Sequence, residues 1–196
     1  MLRRVTFLSL ALSMSLTLGT GTARAQNELF PDTKERGRAA VEYEDDAIHV
    51  VAAYYYSQLN HDSRWLLIEV AVSSEDRMTI HRDAIRLITP EGVELTLAAQ
   101  ERFSQDMPRI RELVQGAAPT RHGVGSYFRR RNRSEDFHFF SLPGSSVVRD
   151  DFVVDRFRVA WGDLFFESST GLWEEGTYTL VIEHEGVRAA VPIELE

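Results

Sequence analysis

The stretch 176-GTYTLVIEHEGVRAAVPIELE-196 reads as two strands joined by a tight turn. Tyr178, Leu180 and Ile182 alternate with Thr177, Thr179, Val181 and Glu183. After Glu185-Gly186, the residues Val187, Ala189, Val191, Ile193 and Leu195 hold one phase, and Arg188, Glu194 and Glu196 hold the other. A strand turns successive side chains to opposite faces, so this period of two predicts a hairpin with one buried and one wet face. The register is strongly specified. A slip of one residue would bury Glu and Arg and expose the whole apolar set.

Upstream, similar patterns recur from Ala39 onward. Ala47–Gln58 and Trp65–Val72 are rich in β-branched and aromatic residues, with the polar run Leu59–Ser63 between them as a hairpin loop. Ile85–Thr89 and Val93–Leu97 flank Pro90-Glu91-Gly92, where proline presets φ for a turn. Tyr127–Arg133, Asp136–Leu142, Asp151–Trp161 and Leu164–Glu167 are also strand-like. One segment differs. Asp106-Met107-Pro108 resembles a helix start with Asp as cap, and Met107, Ile110, Leu113 and Val114 follow at helical spacing before Gly116 as a stop. About eight to ten strands without alternating helices predict a mainly β, antiparallel two-sheet sandwich with one short helix in a central insertion. A single domain is expected over 39–196. The segment Gly176-Thr177-Tyr178-Thr179-Leu180 resembles the closing strands of immunoglobulin-like β-sandwiches, where a tyrosine near the strand start braces a corner. The cysteine pair of antibody domains is absent. The resemblance implies a fold and leaves function open.

The first 25 residues follow the export pattern: Arg3 and Arg4, an apolar run from Val5 to Leu18, then Ala23-Arg24-Ala25 as a small-x-small cleavage signal. The apolar run is shorter than the ~20 residues a bilayer demands, so a cleaved signal peptide is expected, with no transmembrane anchor in the mature chain. Mass analysis of exported protein is expected to start at Gln26; a mature chain that keeps Met1–Ala25 would overturn this reading. Residues 26–38, with Pro, Gly and mixed charge, read as a flexible tether. Cleavage removes three arginines from 22 basic residues and none of the 30 acids, shifting the net charge from −8 to about −11. That field argues against nucleic acid as a partner. With no cysteine there is neither a lipid-anchored thiol nor a disulfide framework.

Most clusters of reactive side chains have a simpler role. His61-Asp62-Ser63 has the residue types of a nucleophile and its base, but three adjacent side chains in a tight loop diverge. The histidines His49, His61, His81, His122, His138 and His184 form no His-Glu-x-x-His pattern. The acidic groups Glu42, Glu44, Asp45, Asp46 and Asp150, Asp151, Asp155 do not match a calcium-loop spacing, and solvated loop charge accounts for them. No metal ion and no cofactor are expected. Two features stand out. Tyr127 and Phe128 precede Arg129, Arg130, Arg131 and Arg133, a local anion-binding rim with aromatic neighbours, set against the simpler role of a charged hairpin edge. Period-two geometry places Arg129, Arg131 and Arg133 on one side. The second is an apolar outer face carrying Tyr55, Trp65 and Leu67, which requires cover from the short helix or from a partner, and cover from within the chain is favoured.

These readings predict an exported, periplasmic or extracellular, non-enzymatic β-sandwich. Its expected role is binding, envelope assembly or an accessory function, with an envelope protein or a polyanionic or glycan ligand as partner. The alternative is a hydrolase or carbohydrate-active enzyme whose site is assembled from distant residues. A pocket with a His–carboxylate pair or two converging carboxylates would favour that alternative.

Overall fold

Alternating apolar patterns become twelve strands among the described residues, in a computed structural model that describes residues 30–60, 64–121, 123–128, 133–141 and 147–196. The chain divides by its contacts into Met1–Pro31 and Asp32–Glu196, and the second unit carries every element below. Residues 1–25, expected to be an export signal, lie outside the described residues. In order, the elements are β1 (Thr33–Glu35), β2 (Ala40–Glu44), β3 (Ile48–Ala53), α1 (Tyr55–Leu59), β4 (Trp65–Ser74), β5 (Met78–His81), β6 (Ile85–Ile88) and β7 (Glu94–Thr96). Then come α2 (Gln100–Gln105), α3 (Met107–Ala117), β8 (Arg133–Asp136), β9 (Asp151–Val154), β10 (Arg158–Glu167), β11 (Gly176–His184) and β12 (Val187–Leu195).

The fold is mainly β. A six-stranded sheet runs β1-β2-β3-β4-β10-β8, a four-stranded sheet runs β12-β11-β6-β7, and β5 pairs with β9. All pairings are antiparallel except β8 with β10, which is parallel. The C-terminal hairpin forms as its pattern dictates: Tyr178 faces Ile193, Leu180 faces Val191 and Ile182 faces Ala189. Glu185 and Gly186 have φ of 47° and 87°, the two left-handed positions that a tight hairpin turn demands. Tyr178, Leu180, Ile182, Ala189, Val191 and Ile193 are buried, while Glu183 and Arg188 are exposed. Thr179 and Glu194 are half-buried, and Val181 is buried on the outer phase. The Pro90 turn also forms: β6 and β7 pair with Leu87 opposite Leu95, and the Gly92 amide donates to the Thr89 carbonyl at 2.9 Å.

The main core joins both sheets and the helices. Val50, Ala52, Ile68 and Val70 of the larger sheet share it with Leu87, Leu180, Val191 and Ile193 of the smaller one, and with Phe103 and Ile110. A second, smaller cluster lies on the other phase of β3 and β4, where Val51, Ala53 and Ala71 meet Val124, Phe128 and Val159. Two-sided burial explains why these strands read as almost continuously apolar.

Several expectations are corrected. The run Ala47–Gln58 is not one strand. After Ala53 the chain turns into α1, where the buried Ser57 hydroxyl donates to the Leu67 carbonyl at 2.8 Å and accepts from the Leu67 amide at 2.9 Å. Two satisfied backbone groups on β4 outweigh the strand preference of Tyr55 and Tyr56. The flexible reading of 26–38 fails over Thr33–Glu35, which pair with Val41–Tyr43. The central insertion holds α2 as well as α3. Asp106 does not cap α3 with its side chain, because its carboxylate accepts from the Trp65 indole N–H at 2.7 Å. Gly116 does not stop the helix; a Cβ there would stand 2.7 Å from the Tyr56 hydroxyl, so glycine makes room for that ring. Phe137–Ser141 is not a strand either: Phe137 and Phe139 pack on Phe152, with ring centroids 4.3 and 5.6 Å from it.

Candidate functional site

The β2–β3 hairpin supplies the site. Glu42 and Glu44 are two apart on β2 and share a face. The register sets Glu44 opposite His49 on β3, and His49 opposite Ser73 on β4. The turn between β2 and β3 is fixed by Asp45, whose Oδ1 accepts from the amides of Ala47 and Ile48 at 2.8 and 2.7 Å. Its Oδ2 accepts from the Tyr43 hydroxyl at 2.8 Å. Burial opposes ionisation of Asp45, but these three donors outweigh it and hold the carboxyl below its ordinary range. Burial, reinforced by the Asp45 charge, pushes the Tyr43 hydroxyl up to about 12. Asp45 is thus spent on the turn.

Glu42 is only 4% exposed although it is a carboxylate. Desolvating it is costly unless it is paired and hydrogen-bonded. Both oxygens are used. Oε2 accepts from the Arg36 guanidinium, and Oε1 lies 2.8 Å from His49 Nε2. Phe128 packs on the His49 ring, centroids 4.2 Å apart at 35°. The Tyr127 hydroxyl donates to the Arg36 carbonyl at 3.1 Å, and the Arg36 guanidinium carbon stands 5.9 Å from the Tyr127 ring. The 3-10 turn Val124–Tyr127 therefore closes the outer face of the larger sheet and also builds one wall of the site.

Above this group opens a cleft of about 610 Å³, whose lining includes Glu42, Glu44, Asp45, Asp46 and Glu75, along with Arg36, Arg156 and His49. Five carboxylates against two guanidinium groups make its field negative. Phe157, 61% exposed, stands at the rim with the Arg156 guanidinium carbon 4.6 Å from its ring. A second hollow of about 330 Å³ lies by Phe103, Phe140 and Trp161, where Arg121 donates to both Asp163 oxygens at 2.8 and 2.7 Å. Arg121 also pairs with the buried Glu69 at 3.4 Å, so its charge is spent within the fold.

Of the residues read as an anion rim, Tyr127 and Phe128 line the cleft. Arg129, Arg130 and Arg131 lie outside the described residues, as do His61-Asp62-Ser63 and His122. Arg133 is exposed at the start of the edge strand β8. The expected apolar face is covered from within the chain. Trp65 is 1% exposed, bonded to Asp106, with its ring 6.2 Å from Phe103 on α2; Leu67 is buried beside Ala117; and Tyr55 is half-buried on α1 below Arg38. Asp150 and Asp155 serve loops: Asp150 pairs with Arg82 at 3.5 Å, and Asp155 accepts from the Phe157 amide at 2.8 Å.

Sequence alone does not join Arg36, Glu42 and His49. The signal was present in Glu42-x-Glu44 followed by Asp45-Asp46-Ala47 and His49, where a tight turn brings the third residue type across from the first two. No family model matches the chain, and comparison with characterised proteins and with solved structures gives no match.

Proposed function

We propose that this chain is an exported, non-enzymatic binding module that presents the negative cleft from an immunoglobulin-like β-sandwich. Strand order supports the fold reading. In chain order, β12-β11-β6-β7 corresponds to strands G-F-C-C′ of such sandwiches, and β3-β4-β10-β8 to A-B-E-D. The Tyr178 hydroxyl donates to the Glu174 carbonyl at 3.0 Å, four residues upstream, as the bracing tyrosine of strand F does. The added strands β1 and β2, the inserted helices and the parallel β8 depart from that plan. Ala23-Arg24-Ala25 after the apolar run supports export.

The observation that carries the binding role is the open cleft between the β2–β3 turn and the Val124–Phe128 segment, with a rim aromatic beside hydrogen-bonding acceptors. Aromatic faces next to carboxylates suit neutral or amino sugars, which offer hydroxyl donors to the acids and C–H faces to the rings. A glycan is therefore the proposed ligand, and a polyanion would meet repulsion at this cleft. The test is binding to an array of neutral and amino-sugar oligosaccharides alongside heparin. Neutral or amino-sugar binding that falls at least tenfold in Phe157→Ala, with an unchanged melting temperature, is the expected result. Binding of heparin alone would transfer the role to Arg129–Arg133; no glycan binding would overturn the proposal.

A second reading has its own observation: the His49–Glu42 pair at 2.8 Å opens on the cleft with Ser73 across from it. A hydrolase would show turnover on ester or glycoside substrates that His49→Ala abolishes.

A further inference from the structure

We propose that Glu42, Glu44 and His49 form a three-ligand site for one divalent cation of the zinc class, open to the cleft on its remaining side. The inference stands apart from the choice between glycan binding and hydrolysis, since metal uptake is measured directly.

The donor atoms come from two neighbouring strands joined by a short, well-bonded turn, so their spacing is set by β-sheet register. One imidazole nitrogen and two carboxylate oxygens lie within 4.8 Å of one another. A cation held at about 2.1 Å by each donor wants donors roughly 3.4 Å apart in tetrahedral geometry. His49 Nε2 and Glu42 Oε1 lie 2.8 Å apart, where a cation could replace their hydrogen bond. Glu44 is exposed at the cleft mouth, so its side chain has the torsional freedom to close the remaining gap.

Two features separate this set from a patch of surface acids. The first is the imidazole: a nitrogen donor favours zinc and its neighbours, whereas calcium takes six to eight oxygens. The second is the support behind the donors. Arg36 binds the far oxygen of Glu42 and leaves Oε1 aimed at His49, and Phe128 packs against the imidazole at 4.2 Å. Partners that orient ligands in this way are typical of metal centres, where their loss weakens affinity by roughly 10–100-fold. Three protein ligands facing an open cleft leave a position for water or a ligand atom.

The experiment uses the exported chain without a histidine tag, stripped with a chelator and titrated with zinc chloride against a chromophoric chelator. One equivalent of zinc per chain is expected, with a melting temperature that rises with zinc concentration. Glu44→Gln, at an exposed position, and His49→Ala are each expected to weaken binding at least tenfold, and Arg36→Gln by about tenfold. If His49→Ala fails to fold, Glu44→Gln alone decides, provided its metal-free melting temperature matches the parent. The proposal is overturned by no uptake at micromolar zinc, by uptake that Glu44→Gln leaves unchanged, or by calcium binding as tightly as zinc.

Discussion

Leu180→Ala is expected to destabilise the protein by about 2–5 kcal/mol, the range for deleting a buried leucine side chain and leaving a cavity. Leu180 is fully buried on β11, the strand flanked on both sides by β12 and β6, with Val191 and Leu87 as its cross-strand neighbours. For a domain of this size the shift in melting temperature is roughly 5–20 °C. Thr179→Ala, one residue away on the opposite phase, is expected to stay within about 0.5 kcal/mol. Denaturant midpoints of the two variants check the phase directly. Equal midpoints would mean that the hairpin is seated one residue out of register.

Phe103→Ala is expected to cost about 3–5 kcal/mol, and the loss falls on a different part of the molecule. Phe103 is the only buried residue of α2, and its ring meets Phe140, Phe165 and Trp65 at centroid distances of 4.9, 5.0 and 6.2 Å. A helix of six residues has no stability of its own in water, so it persists only through such packing. Removing the ring should therefore loosen 100–117 before the hairpin opens. Hydrogen exchange checks this: faster exchange in α2 and α3 is expected, with β11 and β12 amides still protected. Arg109→Ala, at an exposed position on α3, is the control and should change stability by less than about 0.5 kcal/mol. If the two variants melt alike, the helices are not seated on the sheet through Phe103.

These two regions also mark what the sequence could and could not convey. The hairpin was legible because Leu180 and Val191 repeat a phase that no other structure satisfies, and because Glu185-Gly186 stands where a turn must fall. α3 was legible by its spacing of Ile110 and Leu113. α1 was not, since Tyr55 and Tyr56 favour strands and the opposing cause, the bonds from Ser57 to Leu67, spans ten residues. The parallel pairing of β8 with β10 left no local trace, because Arg133–Asp136 is short, polar and matched to a strand far along the chain. The site was half legible. Tyr127 and Phe128 stood out by composition, but their role as the wall over His49 depends on tertiary folding. In the sequence Glu42 reads as solvated loop charge and His49 as an ordinary strand histidine, because burial, not residue type, gives them their meaning.

The edge strands of the two larger sheets share a property with consequences for how this protein meets others. β1 is three residues long and carries Lys34; β8 is four residues long, all exposed, and reads Arg-Ser-Glu-Asp; β7 is three residues long and begins with Glu94. The remaining edge, β12, is long, but Pro192 interrupts its row of amide donors. A foreign strand seeking to extend either sheet would find short ladders, a missing donor or charged side chains that resist desolvation. Self-templating into fibrils is discouraged by the same features, an advantage for a chain without disulfides. A partner that binds by adding a strand to either larger sheet would find little purchase, so any recognition by this protein would rest on side chains and not on shared backbone.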